Sequence, residues 1–236
     1  RDANNNLITS YNTDATISDT TGTVYESVAG DTTITFSGGI YSGNLHVTKA
    51  QAGVTITVTD GAISDGSAAF TVNPGVLDHF SVEAGAGGAI GDQVAGTAFD
   101  IDITAQDAYD NTVTGFTGEV DLSLSNAGTI NPTDSGVFTA GVMNNLSVTI
   151  PGADTGVTIR VVIDGGTYGV DEDGESNSFD IAPGALAQFT FETQPGDPSV
   201  AGADIGVVVW ARDANNNLIT SYNTDATISD TTGTVY

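Results

Sequence analysis

The segment Phe99 to Ser125 reads FDIDITAQDAYDNTVTGFTGEVDLSLS, and its opening letters alternate with a period of two. Phe99, Ile101, Ile103 and Ala105 fall on one side of an extended chain, while Asp100, Asp102, Thr104 and Gln106 fall on the other. Successive side chains of a strand point to opposite faces, so the pattern predicts a strand with one buried and one wet face. The run stops at Asp107-Ala108-Tyr109-Asp110-Asn111, a cluster of turn formers, and a second alternation follows at Val120, Leu122 and Leu124. Strand, tight turn, strand is the pattern that the rest of the chain repeats. The same period returns at Leu146, Val148 and Ile150 and again at Val157, Ile159, Val161 and Ile163, and no stretch keeps a helical period.

The segment has a relative further on, IGVVVWARDANNNLITSYNTDATISD from Ile205 to Asp230. NLSVTI at Asn145 matches NLHVTK at Asn44, GVTIRVVIDGG at Gly156 matches GVTITVTDGA at Gly53, and SFDIAPGALAQFTFE at Ser178 matches AFTVNPGVLDHFSVE at Ala69. A larger identity frames these matches. Arg1 to Tyr25 and Arg212 to Tyr236 are the same 25 letters, offset by 211 residues, so one period holds two related modules and the ends read as cuts in a longer tandem array. The joint between modules is Pro-Gly followed by a new strand: Pro74-Gly75-Val76-Leu77 leads to Phe80 and Val82, and Pro183-Gly184-Ala185-Leu186 leads to Phe189 and Phe191. The expected division is therefore 1–78, the later part of a split module; 79–187, a complete module; and 188–236, the opening part of the next copy of the split one. Joints this short favour a semi-rigid rod over beads on a loose string.

Preceded by its Pro-Gly joint, the string ITAQDAYDNTVTGFTGEVDLSLS resembles the bacterial immunoglobulin-like modules of the Big, invasin and intimin type, which stand in tandem in large surface proteins. The resemblance covers both modules. It implies an all-β fold of tandem immunoglobulin-like β-sandwich modules, one complete and one split between the two ends of the chain. It also implies a stalk or spacer role, with adhesion placed in a terminal domain.

Composition sets the limits of function. The 236 residues are 39% hydrophobic, enough for packed cores, and 30 Asp and Glu against 4 Lys and Arg give a net charge of −26. Such a surface repels phosphate backbones and anionic lipids, which excludes nucleic acid as a partner, and it attracts cations. No run approaches the roughly 20 apolar residues that a membrane helix needs, so no membrane insertion is expected in this segment. There is no cysteine, and the two histidines, His46 and His79, sit on different strands. Convergent ligands for a catalytic triad or a zinc site are not at hand, so the chain does not read as an enzyme.

The densest acidic cluster is Asp171, Glu172, Asp173 and Glu175 around Gly174. Carboxylates beside a turn-forming glycine suit a hard cation such as Ca²⁺, although a solvated hairpin loop explains them as well and no cofactor is required. Asp107, Asp110 and Asn111, matched by Asp2, Asn5 and Asn6, read as a backbone turn held by side-chain acceptors, without metal. Trp210, the sole tryptophan, falls on the face opposite Val207 and Val209. With Tyr25 and Tyr41 it forms the candidate surface for contact with a neighbouring module or another partner. Tyr11 and Tyr222 hold the position of Phe116 and are expected to pack against a core.

These readings converge on a structural repeat unit of an extracellular surface filament, stalk or adhesin rod, whose partners are neighbouring copies of the same repeat, in tandem or head to tail. Modules with strands about 8 residues long would advance about 70–90 Å per period. Two rivals stand beside it. One is an adhesive module that binds carbohydrate or protein through outward aromatics; the other is a subunit of a fibre assembled by strand exchange.

Overall fold

The computed structural model describes residues 1–167 and 169–233. Among them every regular element is a strand, the chain is all-β, and no helix is long and apolar enough to cross a membrane. The chain divides into two compact units. The first comprises Arg1–His79 together with Thr104–Thr117 and Thr139–Val142, and the second comprises Phe80–Ile103, Gly118–Phe138 and the described residues from Met143 on.

In the first unit the strands are β1 (Asp14–Asp19), β2 (Val24–Tyr25), β3 (Thr33–Thr35), β4 (His46–Val47), β5 (Gln51–Val54), β6 (Ile56–Asp60), β7 (Ile63–Gly66) and β8 (Phe70–Val72). Four of them form one antiparallel sheet in the order β3-β1-β6-β7, with Ile17 opposite Val58 and Val58 opposite Asp65. Alternation along β1 puts Ala15 and Ile17 inward, where they form a small core with Val24 and Ile34. Phe36, Tyr41, Leu45, Val47, Ile56 and Val58 pack around that core but remain half-buried.

The second part of the chain supplies β9 (His79–Ala84), β10 (Gln93–Val94), β11 (Ala98–Gln106), β12 (Val120–Leu124), β13 (Val142–Thr149), β14 (Asp154–Val157), β15 (Ile159–Ile163), β16 (Asp173–Glu175) and β17 (Phe179–Ala182). One sheet runs β13-β11-β9. Opposite it, β14 and β15 are a single strand interrupted at Thr158. The first half pairs with β17, and the second half lies between β12 and β16. The short β10 adds to β17 in parallel. Strands β9 to β17 thus make three three-stranded sheets, β13-β11-β9, β12-β15-β16 and β10-β17-β14, in an all-β fold.

The core follows the alternation read from the sequence. Ile101, Ile103, Val120, Leu122, Val148, Val157, Ile159, Val161, Phe179 and Ile181 are all buried. Phe80 meets Phe138 edge to face at 6.0 Å between ring centroids. The break at Thr158 leaves an N–H without a ladder partner, and the Ser176 hydroxyl takes it by accepting the Ile159 N–H at 2.9 Å. Ser67 accepts the Ile56 N–H in the same way, at 3.0 Å.

The last strands are β18 (Gln188–Thr193) and β19 (Val208–Arg212), which pair antiparallel as a hairpin. Val207 and Val209, whose alternation predicts a buried face, are exposed here, because among the described residues β18 and β19 form a two-stranded sheet with no further sheet over that side. Tyr222 packs instead against Phe189, at 5.5 Å edge to face.

Candidate functional site: an aspartate–asparagine clamp

The pentapeptide Asp-Ala-X-X-Asn occurs three times, at 2–6, 107–111 and 213–217. Its local geometry is a closed turn. In the second copy the Asp107 N–H donates to the Asn111 carbonyl at 3.0 Å, and the Asp110 N–H donates to the Asp107 carbonyl at 3.0 Å. The fourth residue of each copy has a left-handed backbone, with φ of 69° at Asn5, 61° at Asp110 and 71° at Asn216, which Asn and Asp tolerate better than other side-chain-bearing residues. The Asp107 carboxylate fills the turn. Its Oδ1 accepts the N–H groups of Tyr109 at 2.9 Å and Asn111 at 3.0 Å.

The same two side chains also reach far along the sequence. Asp107 Oδ2 accepts the N–H of Gly75, in the Pro-Gly joint, at 2.7 Å. The Asn111 amide donates from Nδ2 to the Thr48 carbonyl at 2.7 Å, and its Oδ1 accepts the Ala50 N–H at 2.8 Å, which satisfies both ends of that amide. Nδ2 also bridges back to Asp107, at 3.1 and 3.0 Å from its two oxygens. Asp107 is buried. Burial by itself pushes its pKa up, but the bonds donated by Gly75, Asn111 and Tyr109 outweigh that and hold the carboxyl below its usual range.

The third copy repeats the arrangement with other partners. Asp213 accepts the N–H of Gly184 at 2.8 Å, while Asn217 donates to the Pro151 carbonyl at 2.7 Å and accepts the Ala153 N–H at 2.9 Å. Asp213 is buried, and burial is again outweighed, by bonds from Asn217, Gly184 and Asn215, so its pKa is lowered. Each clamp therefore ties a turn to the preceding Pro-Gly joint and to a connection just before β5 or β14. The first copy makes the internal bonds alone: among the described residues Asn6 Nδ2 reaches both oxygens of Asp2, at 3.2 and 3.0 Å, and every member is exposed.

Two further contacts distinguish the clamp of the first unit. Tyr109 hydrogen-bonds the phenol of Tyr25, which raises the Tyr25 pKa. His79 lies between two carboxylates, with Nδ1 3.1 Å from Asp78 and Nε2 3.3 Å from Asp110. In the third copy Asn215 stands where the second has Tyr109, and its amide packs on Gly96, where an added Cβ would come within 2.3 Å.

The residues singled out from the sequence lie as follows. Tyr25 stacks on His46 with centroids 4.9 Å apart, and the Tyr41 hydroxyl donates to Glu26 at 3.2 Å while its ring packs on the small core. Trp210, on β19, is half-buried beneath the Arg212 guanidinium, 4.6 Å from the ring centroid. Of the four acidic loop residues, Asp171 accepts the Thr167 N–H at 2.7 Å, Asp173 accepts the Gly169 N–H, and Glu175 pairs with Arg160 at 3.0 Å. Glu172 offers its backbone carbonyl to the Ile163 N–H. The carboxylates that do converge, within 4.8 Å among the described residues, are Asp121, Asp134 and Asp164. Asp134 and Asp164 are separated in sequence by β13, β14 and β15, so no local motif announces that meeting.

No protein-family model and no curated protein matches the chain. Among solved structures it is similar to the Escherichia coli adhesin FdeC, with 19% identity and a TM-score of 0.37 over 93% of this chain and 68% of that one. It is also similar to domains 1–6 of the surface layer protein SbsC, with 15% identity and a TM-score of 0.32 over 91% of this chain and 25% of that one. The chain thus spans a quarter of the SbsC segment it matches.

Proposed function

We propose that the chain is a structural repeat unit of an extracellular surface stalk or filament, whose modules are fastened in series by the aspartate–asparagine clamps. The observation that carries this reading is the buried Asp107 carboxylate with the half-buried Asn111 amide, which together hold the Pro-Gly joint at Gly75 and the connection at Thr48 and Ala50. A spacer needs no pocket and no catalytic group; it needs joints that stay fixed, and a desolvated carboxylate with four N–H donors supplies that rigidity. The recurrence of the clamp at Asp213 and Asn217, and the 25-residue identity of the two ends, support a periodic assembly. The acidic surface suits a solvated, non-aggregating exterior. An adhesive role through Tyr25 and Tyr41 has less support, since both phenols are engaged within the chain.

Small-angle scattering tests the reading. Asn111→Ala should broaden the distribution of interatomic distances and raise the flexible high-angle signal, while circular dichroism stays that of folded β-structure. A scattering curve indistinguishable from that of the unsubstituted chain would mean that the clamp does not fix the joint.

A further inference from the structure

The joints at Gly75 and Gly184 are built alike but carry different chemistry beside the clamp turn. At the first, His79 opens β9, and its ring lies between two carboxylates, with Nδ1 3.1 Å from Asp78 Oδ2 and Nε2 3.3 Å from Asp110 Oδ1. Asp110 is the left-handed residue of the turn, with φ of 61°. Through the match of GVLDHF to GALAQF, Ala187 and Gln188 stand at the second joint where the first has Asp78 and His79, and Asn216 stands in the place of Asp110. Gln188 Nε2 donates to Asn216 Oδ1 at 3.4 Å, so two neutral amides make the same contact there. The backbone beneath is common to both. The Asp78 N–H donates to the Gln106 carbonyl at 2.9 Å, and the Ala187 N–H donates to the Arg212 carbonyl at 2.9 Å.

A histidine ring placed in this way donates on both sides only when it is charged. The neutral imidazole has one N–H and one lone pair, and with a carboxylate at each nitrogen the lone pair must face one of them. The imidazolium has an N–H for each. Asp78 and Asp110 are both answered by the protonated ring, and one of them meets repulsion from the neutral ring. Free histidine loses that proton at about pH 6.5, inside the physiological range. The surroundings add negative charge. Asp107 is buried in the same turn, and Tyr109, exposed in that turn, leads on to Tyr25 and the stacked His46. The paired strand β11 contributes the neutral Gln106, and Lys49 is the one Lys or Arg among residues 48–50, 74–79 and 106–111.

We propose that His79 makes the joint at Gly75 a pH-sensitive fastener, tighter when the imidazole is charged and looser when it is neutral, while the joint at Gly184, with Gln188 and Asn216 in the matching places, does not respond. The fastener adds to the clamp without replacing it, because Asp107 and Asn111 make their bonds to Gly75, Thr48 and Ala50 in either state of the ring. Both carboxylates are largely exposed, so water screens the two pairs, and a change of about two- to fivefold in local opening is the expected size. Two joints of one backbone design would then answer differently to the same change of pH.

Amide hydrogen exchange on the 236-residue chain at about pH 5.5 and about pH 7.5, with each rate compared with its intrinsic rate at that pH, tests this, because the Asp78 and Ala187 N–H groups are matched reporters. Protection at Asp78 should fall by about two- to fivefold as pH rises, and protection at Ala187 should hold. His79→Gln, which copies the residue found at the second joint, should abolish the fall, and His46→Gln should keep it. A fall at Asp78 no larger than that at Ala187, a fall that persists in His79→Gln, or one that vanishes in His46→Gln would overturn the proposal. Scattering from Asn111→Ala tests whether Gly75 is a fixed joint, on which this role of His79 rests, and exchange at Asp78 tests the role itself, so each can fail alone.

Discussion

The N–H of Gly75 donates to Asp107 Oδ2 at 2.7 Å across 32 residues, and the N–H of Gly184 donates to Asp213 Oδ2 at 2.8 Å across 29. Two bonds of the same kind, made by matched residues of different sequence neighbourhoods, mark the joint as a built structure. They also provide a matched pair of experiments, because the Asp2 copy of the motif is exposed and its Asp2–Asn6 bonds are internal to the turn.

Asp107→Ala removes a buried carboxylate that accepts the part-buried N–H groups of Gly75, Tyr109 and Asn111. Water can take over part of these bonds, so a loss of about 2–3 kcal/mol is expected in denaturant unfolding. Asp2→Ala, made in the exposed copy, should leave the transition where it is.

Acid should weaken both clamps. Asp107 and Asp213 have pKa values below the ordinary aspartate value of about 3.9, so in the unfolded chain they bind protons at a higher pH than in the folded one. Their stabilisation is complete above about pH 4 and disappears as pH falls through the lower folded values. Urea midpoints measured from neutral to acid pH should fall in that window, and the fall should be shallower in Asp107→Ala.

Asn111→Asp should be worse than Asn111→Ala. The amide donates to the Thr48 carbonyl and to Asp107, and a carboxylate there sets acceptor against acceptor beside a buried charge. Hydrogen exchange at Ala50, whose N–H the Asn111 side chain accepts, should accelerate in both variants while exchange within β12 and β15 is unchanged.

Gly141 supports the clamp turn from below. It has φ of 78°, and an added Cβ would lie 2.5 Å from the Val113 carbonyl oxygen. Gly141→Ala should cost about 2–4 kcal/mol, whereas Gly115→Ala, at an open position, should stay within about 0.5 kcal/mol of the parent in thermal unfolding.

Much of this architecture was legible in the letters because strand faces are local. Ile101, Ile103 and Ala105 alternate in the sequence and are buried in the structure, and the same holds for Val120, Leu122 and Leu124. The turn at Asp107–Asn111 was legible for the same reason, since its inner bonds span two to four residues. Its outer half was not. Gly75 lies 32 residues from Asp107, and Ala50 and Thr48 lie 61 and 63 from Asn111, and no periodicity or turn rule connects them. A signal did exist in the pairing of every internal Asp-Ala-X-X-Asn with a Pro-Gly about 30 residues upstream. Exposure of Val207 and Val209 was hidden by a different circumstance: alternation says which side of a strand is apolar, not whether a second layer is present to cover it.

The clamp also changes how a joint answers to sideways load. A lone Pro-Gly link is a pivot, and one backbone torsion can swing everything beyond it. Asn111, gripping Thr48 and Ala50 away from that pivot, acts as a strut. Bending the chain at Gly75 must then pull apart the two Asn111 hydrogen bonds, 2.7 and 2.8 Å long, at the end of a lever arm instead of rotating a single torsion.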